Sequence, residues 1–481
     1  MLSNIEPKEV WQNFELLNAV PRASKKEKEI IAYVKAFGNK LNLPVYEDEV
    51  GNLIIKKPAS IGMETKPTIC LQGHLDMVHQ KNNDTIFDFA TEGIKMYVDG
   101  DWVKAKGTTL GADNGLGVAA ILTILESKTI VHPPIEALFT IDEETGMTGA
   151  LALKGGLLDA TYMLNLDTEE DDDLTIGCAG GIDITGSGTY NMVEPNVESI
   201  SYKVTVRGLT GGHSGVDIHK GRGNANKIMN RLLYTLQEKC TVQIVSIEGG
   251  SLRNAIPRES VVVLNVPILQ KNIFEELVKF EEIIYKTENI FTDPNLVLEI
   301  EPQAVLINGM DTLNQKLLLS ALYTLPNGIY RMDSNIAGLV QTSNNLAKVS
   351  LANGTFSIKC LTRSSLDTEK MDLANTIKSS FDLMQATTTY GGTYPGWTPN
   401  PQSDLVKLMV EKYKSLNNGE APTVSAIHAG LECGILGTNY PTMQMISFGP
   451  TIHGAHSPDE KASISSAQKF WKYLLAVLGS F

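Results

Sequence analysis

The stretch Leu71–His79, LQGHLDMVH, places His74 and Asp76 two residues apart, directly after the apolar run TICLQ. A short apolar run bounded by polar turn residues reads as a buried strand, so this strand ends by releasing an imidazole and a carboxylate. The same punctuation recurs along the chain. IEALFTI runs into Asp142, Glu143 and Glu144, TYMLNL runs into Asp167, and YPTMQMISF is followed within eight residues by HGAH, ending at His456. GTTLGADNGLG adds Asp113 immediately before a helical pattern. One acid past one strand is a solvated turn residue. Four strands that each release acids or histidines point to a site, because ligands bind beyond the carboxyl ends of parallel strands.

The segments between these runs set the fold class. NGLGVAAILTILES predicts a helix, and SKKEKEIIAYVKAFGNKL predicts another, with Ser24 and Glu27 in the S-x-x-E spacing of a capping box. Strands separated by helices predict an α/β domain with a mostly parallel sheet. From about Gly177 the texture changes. GCAGGIDITGSGTY is rich in glycine, SYKVTVRGLTGGHSG alternates, NANKIMNRLLYTL and IFEELVKFEEIIYKTE have helical periods, and SVVVLNVPI reads as a strand. The α/β texture returns at SDLVKLMVEKY. The expected division is residues 1–186 and 391–481 for the α/β domain and 187–390 for an inserted α+β domain. Glycine-rich hinges are expected near 177–188 and 387–397.

The formal charge of −14 argues against nucleic acid or an anionic membrane surface as partner. The N-terminal MLSNIEPKEVWQNFELL does not read as a signal peptide, and no apolar run reaches membrane-spanning length. Cys70, Cys178, Cys240, Cys360 and Cys433 are scattered, without a C-x-x-C pair. Free thiols in a cytoplasmic protein are the expectation.

Two histidines with several carboxylates suit Zn²⁺, Mn²⁺ or Co²⁺, rather than an all-oxygen Ca²⁺ cage or a thiolate structural site. A pair of ions ~3.5–4 Å apart needs a bridging carboxylate, and adjacent glutamates can divide metal binding from proton transfer. At this level the roles stay unassigned.

GHLDMV, GTTLGADNGLGVAA, DEETGMTGA, LNLDTEE and HGAHSPDE together resemble the M20-type metallopeptidases with a co-catalytic zinc pair. GLTGGHSG, SLRNAIPR, YPGW and HAGLECG narrow the resemblance to the aminoacyl-histidine dipeptidase, bacterial carnosinase-like branch, over nearly the whole chain. The resemblance implies a zinc-peptidase-like catalytic domain interrupted by a lid and dimerisation domain. It implies two divalent ions per subunit (Zn²⁺, with Co²⁺ or Mn²⁺ as alternatives) and hydrolysis of small unblocked dipeptides of the Xaa-His type, carnosine-like ones included. Tripeptide aminopeptidase or a related M20 amidohydrolase is the alternative within the family.

By the same resemblance His74 and Asp167 bind one ion, Glu144 and His456 the other, and Asp113 both. Glu143 is the general base and Asp76 orients His74. His213 corresponds to a histidine that reaches another subunit's site, which implies a homodimer. Asn254 and Arg363 correspond to contacts with the substrate's carbonyl and C-terminal carboxylate, and Gly430 to a backbone contact. A cis peptide between Asp113 and Asn114 is implied as well. The motifs favour His456 over His453 and His213 over His219, and leave His79, His132 and His428 to surface, packing or supporting roles.

Two rival readings remain to be weighed. GLGVAA formally satisfies G-x-G-x-x-A before a helix, which suggests an NAD-dependent dehydrogenase. The preceding DWVKAKGTTLGADN is polar and puts an acid where pyrophosphate would sit. A non-catalytic metal-binding protein is the other rival, and it has no use for a general base at Glu143.

Overall fold

Each apolar run of the α/β portion forms a strand, at Leu53–Lys57, Ile69–His74, Ile135–Thr140, Tyr162–Asn165 and Gln444–Ser447. The computed structural model describes residues 2–195, 197–303 and 308–481. Every residue of Ile69–His74 and Ile135–Thr140 is buried. Strands covered on both faces have no solvent side, so they read as continuous apolar runs rather than alternating ones.

These strands belong to an eight-stranded sheet in the order Val45–Glu47, Leu53–Lys57, Ile135–Thr140, Ile69–His74, Tyr162–Asn165, Gln444–Ser447, Asp173–Cys178, Thr423–Ile427. The central pairs are parallel, and Leu53–Lys57 joins them antiparallel. Register sets His74 beside Thr140, and Asn165 beside both Gln72 and Ser447. Four carboxyl ends therefore fall in one row.

The helix Ala112–Glu126 is buried along nearly its whole length against Ile69–His74. Glycines on the helix and on the strand permit that approach. A Cβ at Gly117 would stand 2.3 Å from the Leu166 carbonyl oxygen, and one at Gly73 2.3 Å from Asn114 Oδ1. The expected capping box is not formed. The helix begins at Lys28 without a side-chain cap. Ser24 Oγ instead donates to Asp76 Oδ2 at 2.8 Å, and Glu27 Oε1 accepts from the amides of Lys25 and Asp142 at 2.8 and 3.1 Å. The need of a buried carboxylate for donors outweighs a local cap that solvent could replace.

The chain divides into two compact units. The first comprises the chain up to Gly177 with Trp397–Ala426 and Leu431–Phe481, and the second comprises Cys178–Gly396 and Ile427–Gly430. These bounds differ from the expected 186/187 and 390/391. The segments read as hinges are largely strands, Gly180–Thr189 and Thr387–Tyr394, paired with one another in the second unit. Their glycines serve packing: a Cβ at Gly186 would stand 2.7 Å from the Phe381 ring, and one at Gly188 2.6 Å from Phe356. The second unit is a nine-stranded antiparallel sheet with the helices Ala225–Lys239, Lys271–Glu288, Thr312–Thr324 and Asp367–Leu383 packed on it.

Alanine normally stabilises a helix interior relative to glycine by about 1 kcal/mol. Gly117→Ala should reverse that sign and destabilise the first unit by ~1–3 kcal/mol through overpacking. Urea unfolding followed by tryptophan fluorescence checks this, since all four tryptophans (Trp11, Trp102, Trp397, Trp471) lie in that unit. A stabilised variant would contradict the close approach.

Candidate active site

Asp113 divides its two oxygens between two histidines. Oδ1 lies 3.1 Å from His74 Nε2, and Oδ2 lies 3.2 Å from His456 Nε2. Each histidine then meets a second acid: Asp167 Oδ1 is 3.4 Å from His74 Nε2, and Glu144 Oε2 is 2.9 Å from His456 Nε2. The Asp113–Asn114 peptide is cis, and His456 adopts φ 63°. All five side chains predicted as ligands are thus brought together. His453 is not among them. It stands beside Trp102, 3.7 Å from Glu170.

Asp76 does more than orient His74. Its carboxylate lies 3.4 Å from His74 Nδ1, which is closer to the Asp76 carbonyl at 3.1 Å. The same carboxylate accepts from the amides of Glu143 and Glu144 at 3.1 and 3.3 Å. It therefore fixes the short helix Glu143–Gly146, entered through Asp142 at φ 52°. One buried acid holds one ligand ring and the backbone of the glutamate pair.

The electrostatics follow from burial and crowding. Burial alone would lower the His74 pKa, but Asp167, Asp113 and Asp76 outweigh it and hold it well above the usual histidine value. Hydrogen bonds to Asp113 and Glu144 push His456 up to about 11. Burial opposes ionisation of Asp76 and Asp113, yet His74, and for Asp113 also His456, keep both well below the carboxylate range, Asp76 at about 2. Burial pushes Glu143 well up against the opposing effect of His74, and Asp167, Glu432 and Glu144 add to the rise. Burial also raises Glu144 and Asp167. Glu144 Oε1 and Asp167 Oδ1 are buried without a hydrogen-bond partner. Buried carboxylates with unsatisfied oxygens, grouped with two imidazoles, are the donor set of a divalent cation, and these residues fit one.

Beneath the row lies Glu432, fully buried, with one oxygen held by Gln72 Nε2 at 2.6 Å and Thr140 Oγ1 at 2.7 Å. Burial pushes it up to about 7. The dinucleotide reading fails at the start of the Ala112–Glu126 helix. The amides that would hold pyrophosphate are taken by the protein's own Glu460, at 2.7, 2.9, 2.7 and 3.3 Å from Leu110, Gly111, Ala112 and Asp113.

In the second unit, Gly215 sits between His213 and Arg363. A Cβ there would lie 3.1 Å from His213 Cε1 and 3.2 Å from Arg363 Nε. The Asn254 carbonyl accepts from Ser214 at 2.8 Å, and Arg363 Nη1 donates to the Tyr394 hydroxyl at 2.8 Å. Gly430 closes the segment Ile427–Gly430, in which His428 is buried with Nε2 2.7 Å from Ser343 Oγ.

A family model described as peptidase family M20/M25/M40 matches residues 70–480. The chain belongs to peptidase family M20. This M20 chain is 39% identical over 477 residues to the cytosol non-specific dipeptidase of Escherichia coli K12, covering 99% of this chain and 98% of that one. The crystal structure of aminoacylhistidine dipeptidase from Vibrio alginolyticus superposes with a TM-score of 0.95 at 40% identity, covering 100% and 98% of the two chains. Aminopeptidase PepT from Bacillus cereus, at 16% identity, 99% and 98% coverage and a TM-score of 0.57, shares the fold alone. The M20 family is metal-dependent, in keeping with the clustered ligands. Ser24, Glu27, Arg22, Glu432 and Glu460 escaped sequence reasoning as site residues. Ser24 and Glu27 stood in the expected capping box, Glu432 in HAGLECG and Glu460 in HGAHSPDE, and nothing in their spacing marks what they hold.

Burial, and then Arg363, push the His428 pKa down to about 3, below an unfolded value of about 6.5. Between these values unfolding takes up a proton. The stability contribution is therefore fully present above about pH 6.5 and falls with pH, by up to about 1.4 kcal/mol per unit. From pH 7 to 5, the M20 chain should lose about 2 kcal/mol more than its His428→Asn variant. Urea unfolding by circular dichroism at both pH values reads the difference, and equal losses would refute it.

Proposed function

We propose that this M20 peptidase is a metal-dependent dipeptidase that hydrolyses unblocked dipeptides, Xaa-His and carnosine-like ones included. The arrangement of Asp113, with each oxygen toward a different histidine and each histidine toward a second acid, carries the reading. It supports two ions, Zn²⁺ by preference with Co²⁺ or Mn²⁺ able to serve. His74 and Asp167 would hold one, Glu144 and His456 the other, and Asp113 both. When bound, such ions polarise the scissile carbonyl and acidify a water.

The remaining chemistry belongs to side chains. Glu143, held by burial well above the usual carboxylate range, takes the proton of the attacking water and returns it to the departing amine. Asp76 keeps His74 and the glutamate backbone fixed while this happens. Arg363 offers its planar fork to the free carboxylate of the dipeptide, Asn254 holds its carbonyl, Gly430 adds a backbone contact, and His213 supports charge developing on the scissile oxygen. The family resemblance supports His213 acting across a homodimer, the second unit serving as lid and dimerisation domain. The name of the Escherichia coli relative supports a cytoplasmic location.

A panel of dipeptides, tripeptides and blocked dipeptides on metal-reconstituted protein tests the proposal. Dipeptide turnover should dominate, and a preference for tripeptides would overturn the substrate class. Glu143→Gln should lower kcat by at least ~10²-fold with metal content unchanged, whereas Glu144→Gln should lose metal. The opposite pattern would exchange the two roles. Arg363→Ala should chiefly raise KM, and amidation of the dipeptide should do the same. The two changes together should add little, because they remove one shared contact.

A further inference from the structure

The loop Leu110–Asp113 is gripped from both sides. Its four amides donate to the Glu460 carboxylate, buried to 2% exposure. Its carbonyls are held as well: Leu110 accepts from Asn18 Nδ2 at 2.9 Å, and Gly111 from Arg22 Nη2. Arg22 is 1% exposed, and its Nη1 also donates to the carbonyls of Leu75 and Asp76 at 3.2 and 3.1 Å. One guanidinium thus ties the backbone after His74 to the backbone before Asp113. Asn18 Oδ1 accepts from Arg22 Nη2 at 2.9 Å and completes the frame.

Starting a helix does not require this. A Ser, Asp or Asn at the N-cap satisfies such amides locally, yet the cap position here is Gly111 at φ 71°. The amides are instead met by an acid 347 residues away from Asp113, and a second buried charge, Arg22, is bound to the same loop. Burying two charges is costly unless each is fully hydrogen-bonded. What the arrangement secures is the position of the loop relative to the end of the Ile69–His74 strand.

We propose that Arg22 and Glu460 are positioning residues that set the Asp113 carboxylate between His74 and His456, and so determine the affinity of the site for both ions. This rests on the two-ion reading above. Neither residue touches a ligand side chain in the role assigned. They act through the loop backbone, as outer partners do when they tune a metal site by about 10–100-fold in affinity.

The test titrates metal-free protein with Zn²⁺ against a chromophoric chelator. Wild type should bind two ions, and Glu460→Gln should bind both about 10–100-fold more weakly. Glu136→Gln is the control, because Glu136 is another buried acid that accepts from two backbone amides, those of Asp159 and Ala160 at 2.9 and 3.0 Å. It should lower thermal stability without altering Zn²⁺ affinity. Arg22→Lys keeps the charge but cannot span Gly111 and Leu75 together. It should weaken both ions as well, and it carries the same test if Glu460→Gln does not fold. Two ions bound by wild type, with affinities in the variants no lower than in Glu136→Gln, would overturn the clamp alone. Fewer than two ions in wild type would overturn the two-ion reading and the clamp with it.

Discussion

The Asp113 carboxylate must face two imidazoles at once, and the first unit is built to keep it there. A group with both oxygens committed cannot shift toward one partner without leaving the other, so the tolerance on its position is tight. The helix start is buried there, and Gly73 and Gly117 leave room for Asn114, the residue that follows Asp113. The same constraint accounts for the local charge pattern. Acids gathered at one sheet edge repel one another when ionised, and burial strengthens the repulsion. Here the cost is divided: His74 and His456 hold Asp76 and Asp113 ionised, while burial moves Glu143, Glu144, Asp167 and Glu432 the other way. A site that separates its carboxylates in this way holds ionised acids beside acids able to carry a proton.

Much of this was legible in the residues. Parallel strands buried on both faces announce themselves as apolar runs, and the acids and histidines just past their carboxyl ends announce a site. His74, Asp167 and the Asp142–Glu144 run were found in that way. The supporting residues were not legible, for a physical reason. Ser24 and Glu27 carry a local signal for a helix cap, and tertiary demand from Asp76 overrides it. Arg22 and Glu460 act on backbone amides and carbonyls, which every sequence contains, so no pairing of residue types betrays them. The glycine-rich segments misled in a related way. Glycine in a strand can mean mobility or the close approach of an aromatic ring, and only the neighbouring Phe381 and Phe356 decide between them.

The second unit uses its polar groups differently. Arg363 and Ser343 are register partners in the large antiparallel sheet, His213 lies on a short ladder opposite Ala255, and His428 sits in the segment Ile427–Gly430 with its ring on Ser343. The sequence left His428 to a surface, packing or supporting role. Its burial, its bond to Ser343 and its suppressed basicity give that role physical content: a neutral imidazole beside the Arg363 charge.

The contact between His456 and Asp113 joins residues 343 positions apart, with the whole second unit lying between them in the chain. Closing so long a loop in a disordered chain carries an entropic cost that grows with the logarithm of its length. A second unit that folds first shortens the effective loop to the distance between its own ends. This sets the order of events during synthesis. The segments bearing His74, Asp113 and Asp167 emerge before the residues that complete their cluster, because His456 and Glu460 follow the whole second unit in the chain. Until then the incomplete sheet leaves the strand Tyr162–Asn165 without its parallel neighbour Gln444–Ser447. A buried strand with one edge left open in this way is the surface that chaperones protect and aggregation exploits. The cluster around Asp113 therefore assembles only after the second unit has been made.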